Sequence, residues 1–488
     1  MLFSDPRFFG FFTLLLVLLR VAPTDRARKG ILTVASCLFY AAWDYRYPVL
    51  LFVVAAAGHV AAVRIEATTD PTMRRHWLWF SIVTSIGILG WFKYANFFIA
   101  TTNALVPTAD LPLLSIILPA GVSFYTFKTM SYAIDVYRGE LRPCRSLLDY
   151  AMFATFFPEL IAGPIVRASV FLPQMNRHIG PTRSRLATGA SIFLLGLTKK
   201  WLIADRLAMI ADPIFADPSP YASTTIWVGV VAYSAQIYCD FSGYSDMAIG
   251  TAKMIGYDLP RNFHLPYLSA NIADFWRRWH ITLSTWLRDY LYVPMGGNRR
   301  GTTRTYVNLM LTMTLGGLWH GASWNFVAWG AVHGAALAVH RAWRELTDGR
   351  FAIWTPLATA LTLLFVVLCW IPFRAPTFAV TFLMLKRCFV PHPGTIWLPP
   401  ALGWCLALMA AAHALGAAFD GAHDGASKPA LARLLRIFGA RLGRDEVTGW
   451  WVRLGLYPTA AALLVVGWVL TLFLFVPTAT QPFIYFQF

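Results

Sequence analysis

FFGFFTLLLVLLRVA, residues 8–22, carries a single charged side chain, Arg20. A run this apolar is at home in hydrocarbon, although a spanning helix needs roughly 20 residues. No run of basic residues precedes it, and many similar runs follow, so it reads as a first transmembrane helix and not as a cleaved signal. The further apolar stretches lie near 31–43, 47–63, 77–95, 113–136, 147–166, 187–203, 223–239, 305–319, 322–340, 355–373, 397–418 and 454–477. Several are too short to cross upright and are expected to be tilted, re-entrant or buried among other helices. The pattern predicts an all-α, polytopic membrane protein with roughly eleven true spans.

The whole-chain composition agrees. Of 488 residues, 57% are hydrophobic and 13% charged, and a soluble domain carries roughly twice that charged fraction. Length alone would suggest several soluble domains, but the apolar runs recur from end to end. A single membrane domain, 1–488, is the simpler reading. The six cysteines are scattered and none forms CxxC, which argues against a zinc site and against a disulfide framework. The net charge is +17. Its Lys and Arg sit between apolar runs, where membrane topology puts them, so anionic lipid headgroups and an anionic cytosolic donor are the expected counter-charges, not nucleic acid.

Those basic residues also give an orientation. Arg26, Arg28 and Lys29 follow the first run, Arg74 and Arg75 follow the third, and Lys428, Arg433, Arg436, Arg441, Arg444 and Arg453 precede the last. The positive-inside rule places all three groups in the cytoplasm. The N-terminus is then outside, and so is the tail 477–488. The stretch DGAHDGASK (420–428) reads as a flexible loop.

Residues 231–345 differ from the rest, because polar and ionisable side chains are embedded in aromatic, apolar sequence. At membrane depth such residues are costly and point to function. In DFWRRWHITLSTWLRDYLY (274–292), Trp276, Trp279, Leu283, Trp286, Leu287 and Tyr290 share one helical face. The plain reading is one amphipathic helix lying in the membrane interface. His280 falls close to that apolar face, an odd place for an imidazole without a partner. In LGGLWHGASWN (315–325), Gly316, Gly317 and Gly321 bracket His320. Glycines permit close backbone approach and interrupt membrane helices, and such breaks are tolerated where they line a cavity. A neutral His320 there could take a proton from a hydroxyl. On these residues alone, a structural histidine bonded to a carbonyl stays open.

Taken together, DFSGYSDMAIG (240–250), NFHLPYLSANIADFWRRWHITLSTWLRDYLYVPMGGNRRG (262–301) and NLMLTMTLGGLWHGASWNFVAWGAVHG (308–334) resemble the membrane-bound O-acyltransferase family, and most closely its bacterial alginate O-acetyltransferase branch. SFYTFKTMSYAIDVYRGE (123–140) and FFPELIAGPIVR (156–167) extend the resemblance upstream. It implies tilted helices around a central tunnel open to both sides, with a catalytic core at about 120–345. It also implies that His320 is the catalytic histidine and His280 the second functional one. Asp240, Ser242, Tyr244, Trp279, Arg288, Asp289, Trp319 and Asn325 are the expected tunnel or substrate-binding residues. Lys128 stands where the resemblance leads one to expect glutamine, and His264 where a small polar residue is expected. His333 and His340 lie seven apart, too far for a helical metal pair, and no metal is expected.

The last residues, Phe483-Ile484-Tyr485-Phe486-Gln487-Phe488, form an aromatic interfacial anchor on composition. The pattern Phe-x-Tyr-x-x-Phe also resembles a terminal motif of bacterial acyltransferase systems, in which the tyrosine is proposed to carry the acyl group. Phenol, with a pKa of about 10, is a better leaving group than an alkyl alcohol, and a covalent relay divides one hard step into two. The expected function is transfer of acetyl from a cytosolic thioester, acetyl-CoA, for O-acetylation of an exported polysaccharide such as alginate or cellulose. The setting is the bacterial inner membrane, with no tightly bound cofactor. No soluble transferase domain is visible in the sequence, so a separate extracytoplasmic acetyltransferase of hydrolase-like fold is the expected partner. Two alternatives stand beside it: a D-alanyl transferase for teichoic acids fed by an acyl carrier protein, and a transporter without chemistry.

Overall fold

The computed structural model describes residues 1–176, 180–351, 353–423, 440–445, 449–454, 466–472, 474 and 483–484. The chain divides into two compact units, Met1–Phe193 with Met247–Pro260, and Leu194–Asp246 with Arg261–Phe488.

The first unit is built from α1 (Pro6–Val21), α2 (Asp25–Ala41), α3 (Tyr47–Ala67), α4 (Pro71–Leu89), α5 (Ala95–Leu105), α6 (Val122–Arg138), α7 (Leu147–Thr155), α8 (Phe157–Leu160) and α9 (Ala168–Met175). Local sequence starts these helices. Asp5 and Asp70 accept hydrogen bonds from first-turn amides, and Pro6 and Pro71 sit where a missing N–H does no harm. A π-helical segment, Gly90–Tyr94, joins α4 to α5. The core is aromatic: Phe3, Phe8, Phe39 and Phe157 are all fully buried or nearly so, with ring centroids 5.0 Å apart for Phe3–Phe8 and for Phe39–Phe157. Gly121 begins α6 with φ 77°, and a Cβ there would stand 2.9 Å from Ile161 Cα, so both conformation and space call for glycine. Lys128 is buried on α6 and forms an ion pair with Glu159 on α8. Its ammonium also donates to the Phe153 carbonyl and lies 4.3 Å from the centre of the Phe153 ring. The lysine that departs from the family pattern thus has a carboxylate partner inside another quoted motif.

α10 (Arg183–Thr198) and α12 (Ser223–Ile255) carry the chain across the division between the units. The second unit also contains α11 (Asp205–Ala216), α13 (Ile272–Arg278), α14 (Ile281–Leu287), α15 (Thr302–His320), α16 (Trp324–Leu346), α17 (Thr355–Arg374), α18 (Phe378–Phe389) and α19 (Pro400–His423). α15 and α16 form a close antiparallel pair turned at Gly321–Ser323, with Ser323 capping α16. Glycines set their spacing. A Cβ on Gly317 would stand 3.0 Å from Gly330 Cα, one on Gly330 would stand 2.9 Å from Thr314 Cα, and one on Gly334 would stand 3.1 Å from Met310 Cα. The helix break falls at Gly321, which is extended, while Gly316 and Gly317 remain helical.

Among the described residues, five helices or continuous helical segments are long and apolar enough to cross a membrane: Tyr47–Ala67, Pro71–Leu105, Arg183–Ala216, Thr355–Arg374 and Pro400–Ala418. Many other apolar runs fold as shorter helices, such as α7 and α8. Two details differ from expectation. α19 continues to His423, into the stretch read as a loop, whose remainder lies outside the described residues. A β-hairpin, β1 (Ala440–Asp445) and β2 (Gly449–Leu454), interrupts the otherwise helical chain, with Ala440 opposite Leu454. Trp450, Trp451 and Val452 are residue types that favour strands, a signal hidden by attention to apolar length. Of the last expected span, 454–477, residues 466–472 and 474 are described beyond the strand and are helical.

Two outcomes follow for purified protein in detergent. Lys128→Met leaves Glu159 buried without its cation and should lower stability by about 3–5 kcal/mol, whereas Lys128→Met with Glu159→Gln should recover most of the loss. Equal thermal unfolding midpoints for the single and double variants would reject the pair. Gly330→Ala should lower stability by about 1–3 kcal/mol through overpacking, while Gly10→Ala, which lies inside α1 and meets nothing within 4 Å, should raise it by up to about 1 kcal/mol.

Candidate active site

The segment 274–292 does not form the single helix that its aromatic spacing predicts. α13 begins at the Asn271 cap and ends at Arg278. Trp279 is extended, with φ −104° and ψ 129°, and His280 is left-handed, with φ 43° and ψ 53°. α14 then restarts at once. Backbone bonds to a neighbouring segment replace part of the helical ladder: Ile281 N–H donates to Asn262 O at 2.9 Å, and His264 N–H donates to Arg278 O at 2.9 Å. A left-handed conformation costs a non-glycine residue about 1–2 kcal/mol, and here it turns the His280 ring inward. The broken pair is also not an interfacial helix with exposed anchors. Trp279, Leu283, Trp286 and Leu287 are buried, and Trp279 packs 4.9 Å from Trp370 and 5.0 Å from Phe263, between ring centroids.

His280 is fully buried, and its hydrogen bonding fixes its tautomer. Asn262 Oδ1 accepts from the Thr282 amide at 3.2 Å and from the Thr282 hydroxyl at 2.9 Å. The amide can only donate, so the atom facing it is the Asn262 oxygen. His280 Nδ1 lies 3.2 Å from the same oxygen and must therefore carry the proton, leaving Nε2 as an acceptor. Burial pushes the His280 pKa down to about 3, so the ring is neutral at ordinary pH.

His320 is the last residue of α15 and is buried. Its ring centroid is 6.3 Å from that of His280. Trp319, Trp329 and Phe373 surround it edge-on at 5.1, 5.2 and 5.2 Å. Trp319 lies against both histidines, 6.0 Å from His280. Phe241, from α12, meets His280 edge-on at 4.7 Å. Two buried imidazoles brought together within an aromatic wall are groups of the kind that carry out proton transfer.

The other expected residues separate into groups. Asp240, Ser242 and Tyr244 are buried on α12, beside Phe241. Asp240 pairs with Lys200 at 2.9 Å and accepts from the Ile484 amide at 2.8 Å. Tyr244 packs 4.5 Å from Phe483. Asn325 ties the start of α16 to the residues after α17, donating to Ala375 O at 2.8 Å, which is a structural task. Arg288 and Asp289 bond each other at 2.6 Å, and the Arg288 side chain is 61% exposed, so this pair stands apart from the buried histidines. His333 is buried among Trp276, Trp329 and Phe365. His340 borders an open cavity of about 450 Å³ that is also lined by Arg341 and Arg344. His264 lies 3.2 Å from Arg261. Tyr485 lies outside the described residues. Among those described, no group of three or more His, Cys, Asp or Glu side chains is placed to hold a metal ion.

Sequence reading singled out neither Asn262 nor Lys200. Asn262 carried the same signal as His280, a polar side chain within an aromatic motif. Lys200 carried none, because it lies near the end of an apolar run outside the quoted motifs.

Comparison with known proteins bears on this geometry. Residues 140–385 match the family described as MBOAT, membrane-bound O-acyltransferase. The chain is 45% identical to the probable alginate O-acetylase AlgI of Azotobacter vinelandii, over 80% of this chain and 78% of that one. It is 39% identical to the peptidoglycan O-acetyltransferase of Helicobacter pylori, over 73% and 72%. Similarity to the teichoic acid D-alanyltransferase of Streptococcus thermophilus is 29%, over 46% and 57%. With its apolar helices, these matches make the protein a multi-pass membrane enzyme that transfers acyl groups to oxygen, and the chain belongs to the membrane-bound O-acyltransferase family.

Proposed function

We propose that this enzyme moves acetyl from cytosolic acetyl-CoA across the bacterial inner membrane for O-acetylation of an exported polysaccharide such as alginate or cellulose. The observation that carries the chemical reading is the buried His280–His320 pair at 6.3 Å, with the His280 tautomer held by Asn262. The relatives named for alginate and peptidoglycan O-acetylation support acetyl as the group and a glycan as its destination.

In this reading 1–488 is one membrane domain of roughly eleven spans, with its core at about 120–345 and a tunnel open to both faces. His320 takes the proton of the attacking hydroxyl as its oxygen bonds to the thioester carbonyl carbon. The C–S bond breaks, and the proton passes to the departing thiolate. His280 presents Nε2 as an acceptor, which supports orienting the hydroxyl or the His320 ring. It does not supply a donor to a developing oxyanion, so His280 is a positioning group. The first acceptor is Tyr485, whose phenol ester then yields acetyl outside. A separate extracytoplasmic transferase of hydrolase-like fold completes delivery to sugar hydroxyls. Aminoacyl transfer from a carrier protein is the second reading, favoured by the likeness to teichoic acid D-alanyltransferases.

Peptide mass mapping after incubation with isotopically labelled acetyl-CoA tests the relay. Label is expected on the Tyr485 peptide of the wild type and on neither His320→Ala nor Tyr485→Phe. Absence of label with acetyl-CoA, together with label from a charged carrier protein, would turn the assignment to aminoacyl transfer. Asn262→Leu removes the acceptor that holds Nδ1–H and should lower kcat about 10²-fold with little change in KM. An unchanged kcat would remove His280 orientation from the mechanism.

A further inference from the structure

Lys200, at the second position of the π-helical segment Lys199–Ala204, is buried between two carboxylates. Its ammonium lies 2.8 Å from Asp205 Oδ1 and 2.9 Å from Asp240 Oδ1. All three residues are at least 96% buried. A surplus carboxylate beside a single ammonium in apolar surroundings is unfavourable unless its remaining oxygen finds donors. The second oxygen of Asp240 has one: it accepts from the main-chain amide of Ile484 at 2.8 Å. Ile484 and Phe483 are themselves buried. Phe483 packs on Tyr244 at 4.5 Å and stands 6.1 Å from Phe241, and Phe241 is the ring that meets His280.

We infer that Asp240 is a positioning residue: charged against Lys200, it clamps the segment Phe483–Ile484 by its backbone and holds it on the face of α12 that borders the histidine pair. Each part has a separate task. Lys200, which Asp240 shares with Asp205, holds the Asp240 carboxylate in place. The Asp240 carboxylate supplies an acceptor stronger than a neutral one for a main-chain amide that would otherwise be buried without a partner. Tyr244 and Phe241 provide the apolar floor for Phe483. Because the amide is backbone, the clamp fixes the path of the segment without reading its side chain. The clamp rests on contacts of residues 240, 483 and 484 and stands whether or not Tyr485 carries acetyl.

Hydrogen–deuterium exchange of the full-length protein in nanodiscs, resolved to the Ile484 amide, tests the clamp without any acyl donor. The wild-type amide should be strongly protected. Asp240→Leu, which removes the acceptor, should speed its exchange at least tenfold while amides of α3 keep their rates. Asp240→Asn, which retains an oxygen, should fall between the two. Phe483→Ala, which leaves the three charged residues untouched, is the second probe and should also speed exchange tenfold, so the clamp remains testable if Asp240→Leu fails to fold. Equal Ile484 exchange in wild type, Asp240→Leu and Phe483→Ala would overturn the inference, as would an unprotected amide in the wild type. In acetyl transfer dependent on His320, the losses caused by Asp240→Leu and Phe483→Ala should be non-additive. Additive losses would mean that Asp240 acts on the fold and not through the segment. A wild type that transfers no acetyl would count against the functional reading alone, with the exchange data still deciding the clamp.

Discussion

One side-chain oxygen, Asn262 Oδ1, receives three contacts: the Thr282 amide, the Thr282 hydroxyl and His280 Nδ1. Much of the site depends on it. From a segment upstream of α13 it compensates the break between α13 and α14, while the Asn262 main chain takes the Ile281 amide. It also sets which imidazole nitrogen of His280 carries the proton. In water such a bond contributes modestly, but in an apolar interior the alternative is a bare polar group, and the asymmetry makes the arrangement stiff. A left-handed histidine is tolerable here because these bonds leave it no cheaper conformation.

The same physics governs the buried charges. Lys128 with Glu159, and Lys200 with Asp205 and Asp240, are ionic groups in units whose cores are rich in aromatic and aliphatic side chains. Replacing a buried pair by apolar residues of equal volume is often neutral or stabilising, so such pairs are poor evidence of stability alone. Their value lies in geometry: a charge at depth has few places to go, and each partner accordingly fixes an element. Lys128 relates α6 to α8. Lys200 relates the start of α11 to the middle of α12, and through Asp240 to residue 484.

The membrane class and the family were legible in the sequence, because apolar runs and long polar-in-aromatic motifs survive without knowledge of tertiary contacts; the same motifs singled out His280 and His320, whose rings the structure places 6.3 Å apart. The helix break at Trp279–His280 was not legible. Spacing at three and four residues continues across a two-residue interruption when the next helix restarts immediately, so the face of Trp276, Leu283 and Tyr290 reads as unbroken. Gly321 was correctly read as a breaker, but Gly316 and Gly317 were not breakers; they serve close packing, and a lone sequence cannot separate those two uses of glycine. Arg288 and Asp289 looked like site residues because they lie inside the motif, yet they bond each other with Arg288 exposed. Length misled too. α7 and α8 come from an apolar run near spanning length, but Phe156 between them leaves the helical conformation.

The glycine-spaced hairpin of α15 and α16 explains why a catalytic histidine would stand at a helix end. At the C-terminus of α15, His320 projects from the last turn, where main-chain carbonyls lack helical donors and the following residue is extended. A histidine in mid-helix would be surrounded by its own helix on one side. At the end it is reached from several directions, and here Trp319, Trp329, Phe373 and His280 occupy them. Such exposure to neighbours demands rigidity elsewhere, since a small shift of α15 would misplace the ring. Close contact at Gly317, Gly330 and Gly334 supplies it, because two backbones in van der Waals contact have no side-chain rotamers through which to slide. Glycines that loosen an isolated helix thus stiffen this pair, and the position of the His320 ring is fixed through packing of main chain on main chain.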